Sequence, residues 1–299
     1  MPMRRREGEA VRPRSFEYLR PSSVKEAIGF LKDYGEEARV LAGGQSLIPI
    51  MKLRLASPHV LIDIGRIPGL SFIREEGDVL RIGAMTRHRD LEQTSLVRNR
   101  YPLLADAAHS LGDPQVRNLG TIGGSVAHAD PASDWGAALL AFDTKLVVTG
   151  PKGNRTLSID DFFREPFVTA LEPTEVLTEI RIPKTVAGSG GAYLKLKRKT
   201  GDFATVAVAA QVELDGRGAI AKARIGLAAM GPTPLRARRA EEHLTGRMPN
   251  PATLAEGARL AAEGARPTRD LRGGVEHKRA MVEVYTRRAL EKAVERARR

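Results

Sequence analysis

The sequence predicts an α+β protein of more than one unit, and three observations predict it. A strand, helix, strand order runs into a glycine pair within residues 1–66. Short strand-like segments separated by turn residues take over from about Leu70, and a three-stranded meander followed by helices fills residues 192–299. With 299 residues, 42% of them hydrophobic, the chain is long enough for two or three cores, and we expect units at 1–66, 67–186 and 192–299.

In the first unit, residues 16–19 read as a short strand. Ser22 or Ser23 can cap a helix in which Val24, Ala27, Ile28 and Leu31 repeat at helical spacing until Gly35 stops it. Residues 39–42 read as a buried strand entering Gly43-Gly44, and 60–64 as another ending at Gly65. In the second unit, 71–74 and 79–83 flank a turn at Glu76-Gly77-Asp78, which is hairpin spacing. Helical stretches are expected at 87–94, 103–110 and 135–140, with a glycine-rich segment at 120–125. Residues 145–149 and 176–182 read as further antiparallel strands, and 187–191 as the linker. The third unit offers strands at 192–198, 205–214 and 219–227, then helices at 235–244, 251–265 and 275–298. The last of these is apolar along Met281, Tyr285, Ala289 and Ala293 and charged elsewhere.

The net charge of +12 is concentrated at the ends: residues 1–20 hold six Arg against three Glu, and residues 276–299 hold eight Lys or Arg against four Glu. Neither end interleaves aromatics with its cations as single-strand binders do, so we expect tails or docking surfaces and no nucleic-acid partner. The absence of cysteine excludes disulfides, thiol nucleophiles and Cys-ligated iron–sulfur clusters from this chain. No apolar run approaches the roughly 20 residues that span a bilayer, so no transmembrane segment is expected, and the basic start has no apolar signal region.

Two loops carry the chemistry. In Ala42-Gly43-Gly44-Gln45-Ser46-Leu47 and Gly120-Thr121-Ile122-Gly123-Gly124-Ser125, paired glycines let a ligand approach the main chain, so consecutive N–H groups can converge on phosphate oxygens, with Ser46, Thr121 and Ser125 adding hydroxyls. A tight structural turn is the plainer reading of one such pair; two pairs, each after an apolar stretch, point to a diphosphate. Neither the G-x-G-x-x-G fingerprint nor a Gly-Lys phosphate loop is present, so the site is of another design. His128, Asp130 and Asp134 are of metal-ligand type but lack ligand spacing, and we expect turn capping. Asp134 suits ribose hydroxyls or the cap of the helix at Trp135. Lys195 to Lys199 alternate as a solvated strand face does, with one cation able to reach a ligand.

The segments FEYLRP (16–21), LAGGQSLIPIMKLRLASP (41–58), GDPQVRNLGTIGGSVAHADPASD (112–134), LTEIRIP (177–183) and YLKLKRKTGDFATVAVAA (193–210) together resemble the flavin-binding medium subunits of the molybdenum hydroxylases, above all the aerobic carbon monoxide dehydrogenase branch. The resemblance implies a two-lobed FAD domain of the vanillyl-alcohol-oxidase (PCMH) type plus a small C-terminal domain. It implies FAD held by Ala42, Gly43, Gly44, Gln45, Ser46 and Leu47, by Thr121, Ile122, Gly123, Gly124 and Ser125, and by Asp134, Leu177 and Lys195. Gln45 and Ser125 stand where related proteins often carry His and Asn. It further implies no catalytic acid, base or metal ligand in this chain, and an electron-transfer role. Electrons would come from the [2Fe–2S] clusters of a small subunit, beside a large subunit holding the molybdopterin cofactor, in a dimer of heterotrimers, and would pass to a quinone or other acceptor. The expected location is the cytoplasm, with room for peripheral attachment at the inner face of the membrane. A free-standing FAD oxidase of the same fold and a nucleic-acid-binding module are the alternatives.

Overall fold

The structure, a computed structural model, describes residues 12–299. Of the basic end at residues 1–20 read as a tail or docking surface, residues 1–11 lie outside the described residues.

The chain begins with β1 (Glu17–Leu19), α1 (Val24–Tyr34), β2 (Ala38–Leu41), α2 (Leu47–Lys52) and β3 (Val60–Asp63), the strands forming a parallel sheet in the order β1-β3-β2. α1 starts where the sequence places it: the Ser23 hydroxyl accepts from Glu26 N at 3.2 Å, and the Glu26 carboxylate accepts from Ser22 N at 2.6 Å. Ala27, Ile28 and Leu31 turn inward against β3, and Gly35 ends the helix at φ +51°.

Next come β4 (Ile73–Glu76), β5 (Val79–Gly83), α3 (His88–Gln93), α4 (Ser95–Arg100), α5 (Pro102–Ser110), α6 (Pro114–Leu119), α7 (Ile122–His128) and α8 (Asp134–Leu140). β6 (Lys145–Gly150), β7 (Gly153–Ser158), β8 (Phe163–Glu165), β9 (Val168–Thr169) and β10 (Val176–Pro183) follow. The antiparallel sheet β4-β5-β10-β6-β7 buries Leu80, Ile82, Leu146 and Ile180 against Leu103, Leu104, Trp135 and Leu139 of α5 and α8. Val176 instead joins the core of the parallel sheet. The sequence does not announce α2, α4 and α6, each of six residues and so of less than two turns.

The last part is β11 (Ser189–Leu196), β12 (Val206–Leu214), β13 (Ile220–Ala228), β14 (Leu235–Arg236), α9 (Arg238–Leu244), α10 (Pro251–Gly264) and α11 (Val275–Ala297), the strands neighbouring one another in chain order. The meander thus has a short fourth strand where the sequence suggests the start of a helix. The expected linker at 187–191 is corrected as well. β11 starts at Ser189, and a Cβ on Gly190 would lie 2.1 Å from Ala293 O and 2.3 Å from Ala297 N. Gly190 admits α11 against the strand. Arg296, which belongs to a basic end expected to serve docking, is spent internally: its guanidinium donates to Asp106 Oδ2 and to Gly191 O, each at 2.6 Å.

Candidate functional site

β2 ends at Leu41 and delivers the first glycine loop to the start of α2. Gly44 sits at φ +72°, where a side chain is strained. Among the described residues, no protein acceptor meets the backbone N–H groups of Gly43, Gly44, Gln45, Ser46 and Leu47. Gln45 Nε2 reaches back to Gly43 O at 3.5 Å. Five adjacent unspent donors form the kind of surface that takes an anion. Gly43 answers a different need: a Cβ there would fall 2.2 Å from Leu119 O and 2.7 Å from Gly120 Cα, so its backbone rests directly on the second loop.

The second loop departs from the expectation that both loops present consecutive amides. Gly120 N donates to Val116 O (2.7 Å), Ile122 N to Thr86 O (3.0 Å), Gly123 N to Ala84 O (2.8 Å), Gly124 N to Thr121 Oγ1 (3.1 Å) and Ser125 N to Thr121 O (3.0 Å). Thr121 N alone lacks a protein acceptor among the described residues. The Thr121 hydroxyl is the N-cap of α7, and Gly123 is a packing residue whose Cβ would stand 2.5 Å from Ala84 Cβ and 2.6 Å from Ala84 O. Ser125 Oγ lies 2.9 Å from Ser133 Oγ. The two loops therefore meet, the first with donors that no described protein group takes and the second with its donors committed to itself and to the 84–86 segment behind it.

Asp134 neither caps α8, whose cap is Ser133, nor stands open to solvent. Its Oδ1 accepts from Tyr193 OH at 2.5 Å and its Oδ2 from Lys195 Nζ at 2.9 Å. The Lys195 side chain is only 2% exposed, which corrects its reading as part of a solvated face. Burial first, and then the adjacent carboxylate, push the Tyr193 phenol pKa well up. Leu177 is buried on β10, where a bulge separates it from Glu179, one layer behind the second loop: Thr178 O accepts from Ala84 N at 3.0 Å. Of the other residues of metal-ligand type, Asp130 closes a turn onto Ala132 N (2.8 Å) and His128 packs on Phe167.

Three residues at the site are absent from the sequence-based expectation. Ser133 has the look of a loop residue. His88 lies under the second loop, its backbone N donating to Gly120 O at 3.0 Å and its Nδ1 accepting from Trp135 Nε1 at 3.1 Å. Burial, reinforced by Arg117, pushes its pKa down to about 3, so the ring is neutral with its proton on Nε2. Tyr193 shares a strand face with Lys195, and that period of two is the signal that points to it.

Residues 14–185 match the family model of the FAD-binding domain in molybdopterin dehydrogenase, and residues 191–293 match that of the carbon monoxide dehydrogenase flavoprotein C-terminal domain. The chain belongs to this family of FAD-binding medium subunits and is an oxidoreductase subunit. It is 46% identical to the carbon monoxide dehydrogenase medium chain of Hydrogenophaga pseudoflava over 94% of this chain and 98% of that one. A solved structure of carbon monoxide dehydrogenase from the same organism, lacking the Mo-pyranopterin moiety of the molybdenum cofactor, superposes with a TM-score of 0.93 at 47% identity, covering 95% of this chain and 99% of that chain. The chain is also 35% identical to the 6-hydroxypseudooxynicotine dehydrogenase complex subunit alpha of Paenarthrobacter nicotinovorans, over 96% of this chain and 97% of that one. The donor set fits FAD: a doubly charged diphosphate is matched by the row of free amides at Gly43 to Leu47.

Proposed function

We propose that the chain is the electron-transfer subunit of a molybdenum hydroxylase of the carbon monoxide dehydrogenase type. The observation that carries this reading is the row of unspent amides at Gly43 to Leu47 pressed against the second glycine loop. When bound, FAD supplies reversible electron uptake and release. The chain's own part is to bind and orient. Gly43, Gly44, Gln45, Ser46, Leu47 and Thr121 offer main-chain donors to the diphosphate; Ala42, Ile122, Gly123, Gly124 and Ser125 shape the wall opposite. Asp134, with lone pairs left after Tyr193 and Lys195, accepts from a cofactor hydroxyl; Lys195 holds it there and Leu177 backs the site. The two lobes fall at 1–66 and 67–186, and the C-terminal domain at 192–299.

In this reading, electrons arrive from the [2Fe–2S] clusters of a small subunit, a large subunit holds the molybdopterin cofactor, and the complex is a dimer of heterotrimers in the cytoplasm. A quinone is the favoured acceptor. Among the described residues, no helix is long and apolar enough to cross a membrane. The test uses the purified chain: it should bind FAD one to one, and its chemically reduced flavin should be reoxidised faster by a soluble quinone than by NAD. It should stay inert toward carbon monoxide, aldehydes and N-heterocycles. Rapid flavin reduction by one of these with no partner chain present would overturn the reading in favour of a self-sufficient oxidase.

A further inference from the structure

Three consecutive side chains at the start of α8 point in three directions, and each reaches something different. Ser133 Oγ is 2.9 Å from Ser125 Oγ, at the end of the second glycine loop. Trp135 Nε1 donates to His88, whose backbone N holds Gly120 O at the loop's beginning. Between them, Asp134 reaches out of this part of the chain altogether, to Tyr193 and Lys195 on β11. We infer that Ser133-Asp134-Trp135 is a bracket gripping both ends of the second loop, and that Tyr193 is the positioning residue that sets it from the C-terminal sheet.

The second loop's amides are already paired, those of Ile122 and Gly123 with Thr86 O and Ala84 O behind it, and both of its ends are held by neighbours of one buried carboxylate. Tyr193 is 2% exposed and its backbone N donates to Asp106 Oδ2 at 3.3 Å, while Asp106 also takes Arg296 from α11. The strand that carries the phenol is therefore fixed through Asp106 between α5 and α11. Removing its hydroxyl leaves a buried carboxylate oxygen without that donor, and the first turn of α8 must shift to find another. The shift passes to Gly120, and Gly43 of the first loop rests on Gly120 with no space to absorb it. In this way the free amides of the first loop are held in register by a residue that lies on another sheet.

This inference rests on the FAD reading, and the experiment separates the two. The full chain and its Tyr193→Phe variant are titrated with FAD, and the visible circular dichroism of the bound flavin is recorded beside the Tm. Tyr193→Phe should weaken FAD binding about tenfold, as expected for a buried charged oxygen losing its donor, and should alter the flavin dichroism. Leu290→Ala, a buried α11 position away from the bracket, serves as the stability control. It should lower the Tm and leave Kd and dichroism as they are. A Tyr193→Phe protein with an unchanged Kd and superimposable dichroism overturns the inference alone; a wild-type chain that binds no FAD overturns the function proposed above and this inference with it. Should Tyr193→Phe fail to fold, Ser133→Ala carries the test, because it cuts the bracket at the loop and leaves the carboxylate paired. Unchanged Kd and dichroism in that variant likewise overturn the inference.

Discussion

The two glycine loops look alike in sequence and are built for different tasks. In the first, Gly44 takes a positive φ and, among the described residues, no protein group takes the amides from Gly43 to Leu47. In the second, the same glycine pairing at Gly123-Gly124 serves a helix start and a close approach to Ala84, and all but one of the amides are used. A glycine pair thus marks a place where main chain comes close to something, and the structure decides whether that something is a ligand or another strand of the same protein. The first loop is a binding surface and the second is the wall against which it is held.

The largest expected effect separates the loops through their glycines. Gly123→Ala puts a methyl 2.5 Å from Ala84 Cβ and 2.6 Å from its carbonyl oxygen, atoms that cannot yield without moving backbone. We expect a loss of about 3 kcal/mol, the upper range for overpacking, with FAD retention failing in step with the Tm. Gly44→Ala meets side-chain atoms alone, the flexible end of Ile48 at 2.7 Å and Leu41 Cδ1 at 3.4 Å, and the strain of φ +72°, which costs about 1 kcal/mol. Urea unfolding of both variants checks the order; equal losses would erase the distinction between wall and surface.

A smaller effect should appear in mild acid, again at the wall. His88 is neutral when folded, with a pKa near 3, and its unfolded value is about 6.5. Below about pH 6.5 the unfolded chain takes up a proton that the folded chain refuses. The stability due to His88 is therefore complete above that pH and is lost as pH falls toward about 3, at up to about 1.4 kcal/mol per pH unit. By about pH 5 the loss is about 2 kcal/mol. His88→Gln should flatten this part of the profile, and parallel profiles for the two proteins would assign the acid sensitivity to other groups.

Much of the fold is legible in the amino-acid sequence. The α1 cap at Ser23, the hairpin around Gly77 and the long strands of the meander follow from local signals, because each is decided by residues close in sequence. The features that are not legible are decided by distant partners. Gly190 has the composition of a linker and is instead the footing of Ala293 and Ala297 of α11, over a hundred residues away in the chain. Lys195 sits in a run of cations and reads as solvated, yet Asp134 lies against it. The role of Gly123 depends on Ala84, which no periodicity links to it. The candidate site shows the same split, since its donors are legible as glycines, Tyr193 is signalled only by the period of two it shares with Lys195, and the supports His88 and Ser133 are not legible.

The smallest expected effect on stability falls on the binding surface and sharpens the comparison from the other side. The amide of Gln45 reaches Gly43 O at 3.5 Å, the outer limit of a hydrogen bond, and no other protein partner for its side chain exists among the described residues. Gln45→Ala should therefore change unfolding stability by about 0.5 kcal/mol or less. Its consequence belongs to the bound state, where a side chain beside five free amides is placed to donate to the cofactor; losing one such bond is worth about 1 kcal/mol, or roughly fivefold in FAD affinity. Isothermal titration with FAD and a thermal melt of the cofactor-free chain measure the two quantities separately. An altered affinity at an unaltered Tm is the expected signature of the first loop. A Gln45→Ala chain that loses stability and affinity together would place Gln45 with the wall, and the division of labour between the loops would have to be redrawn.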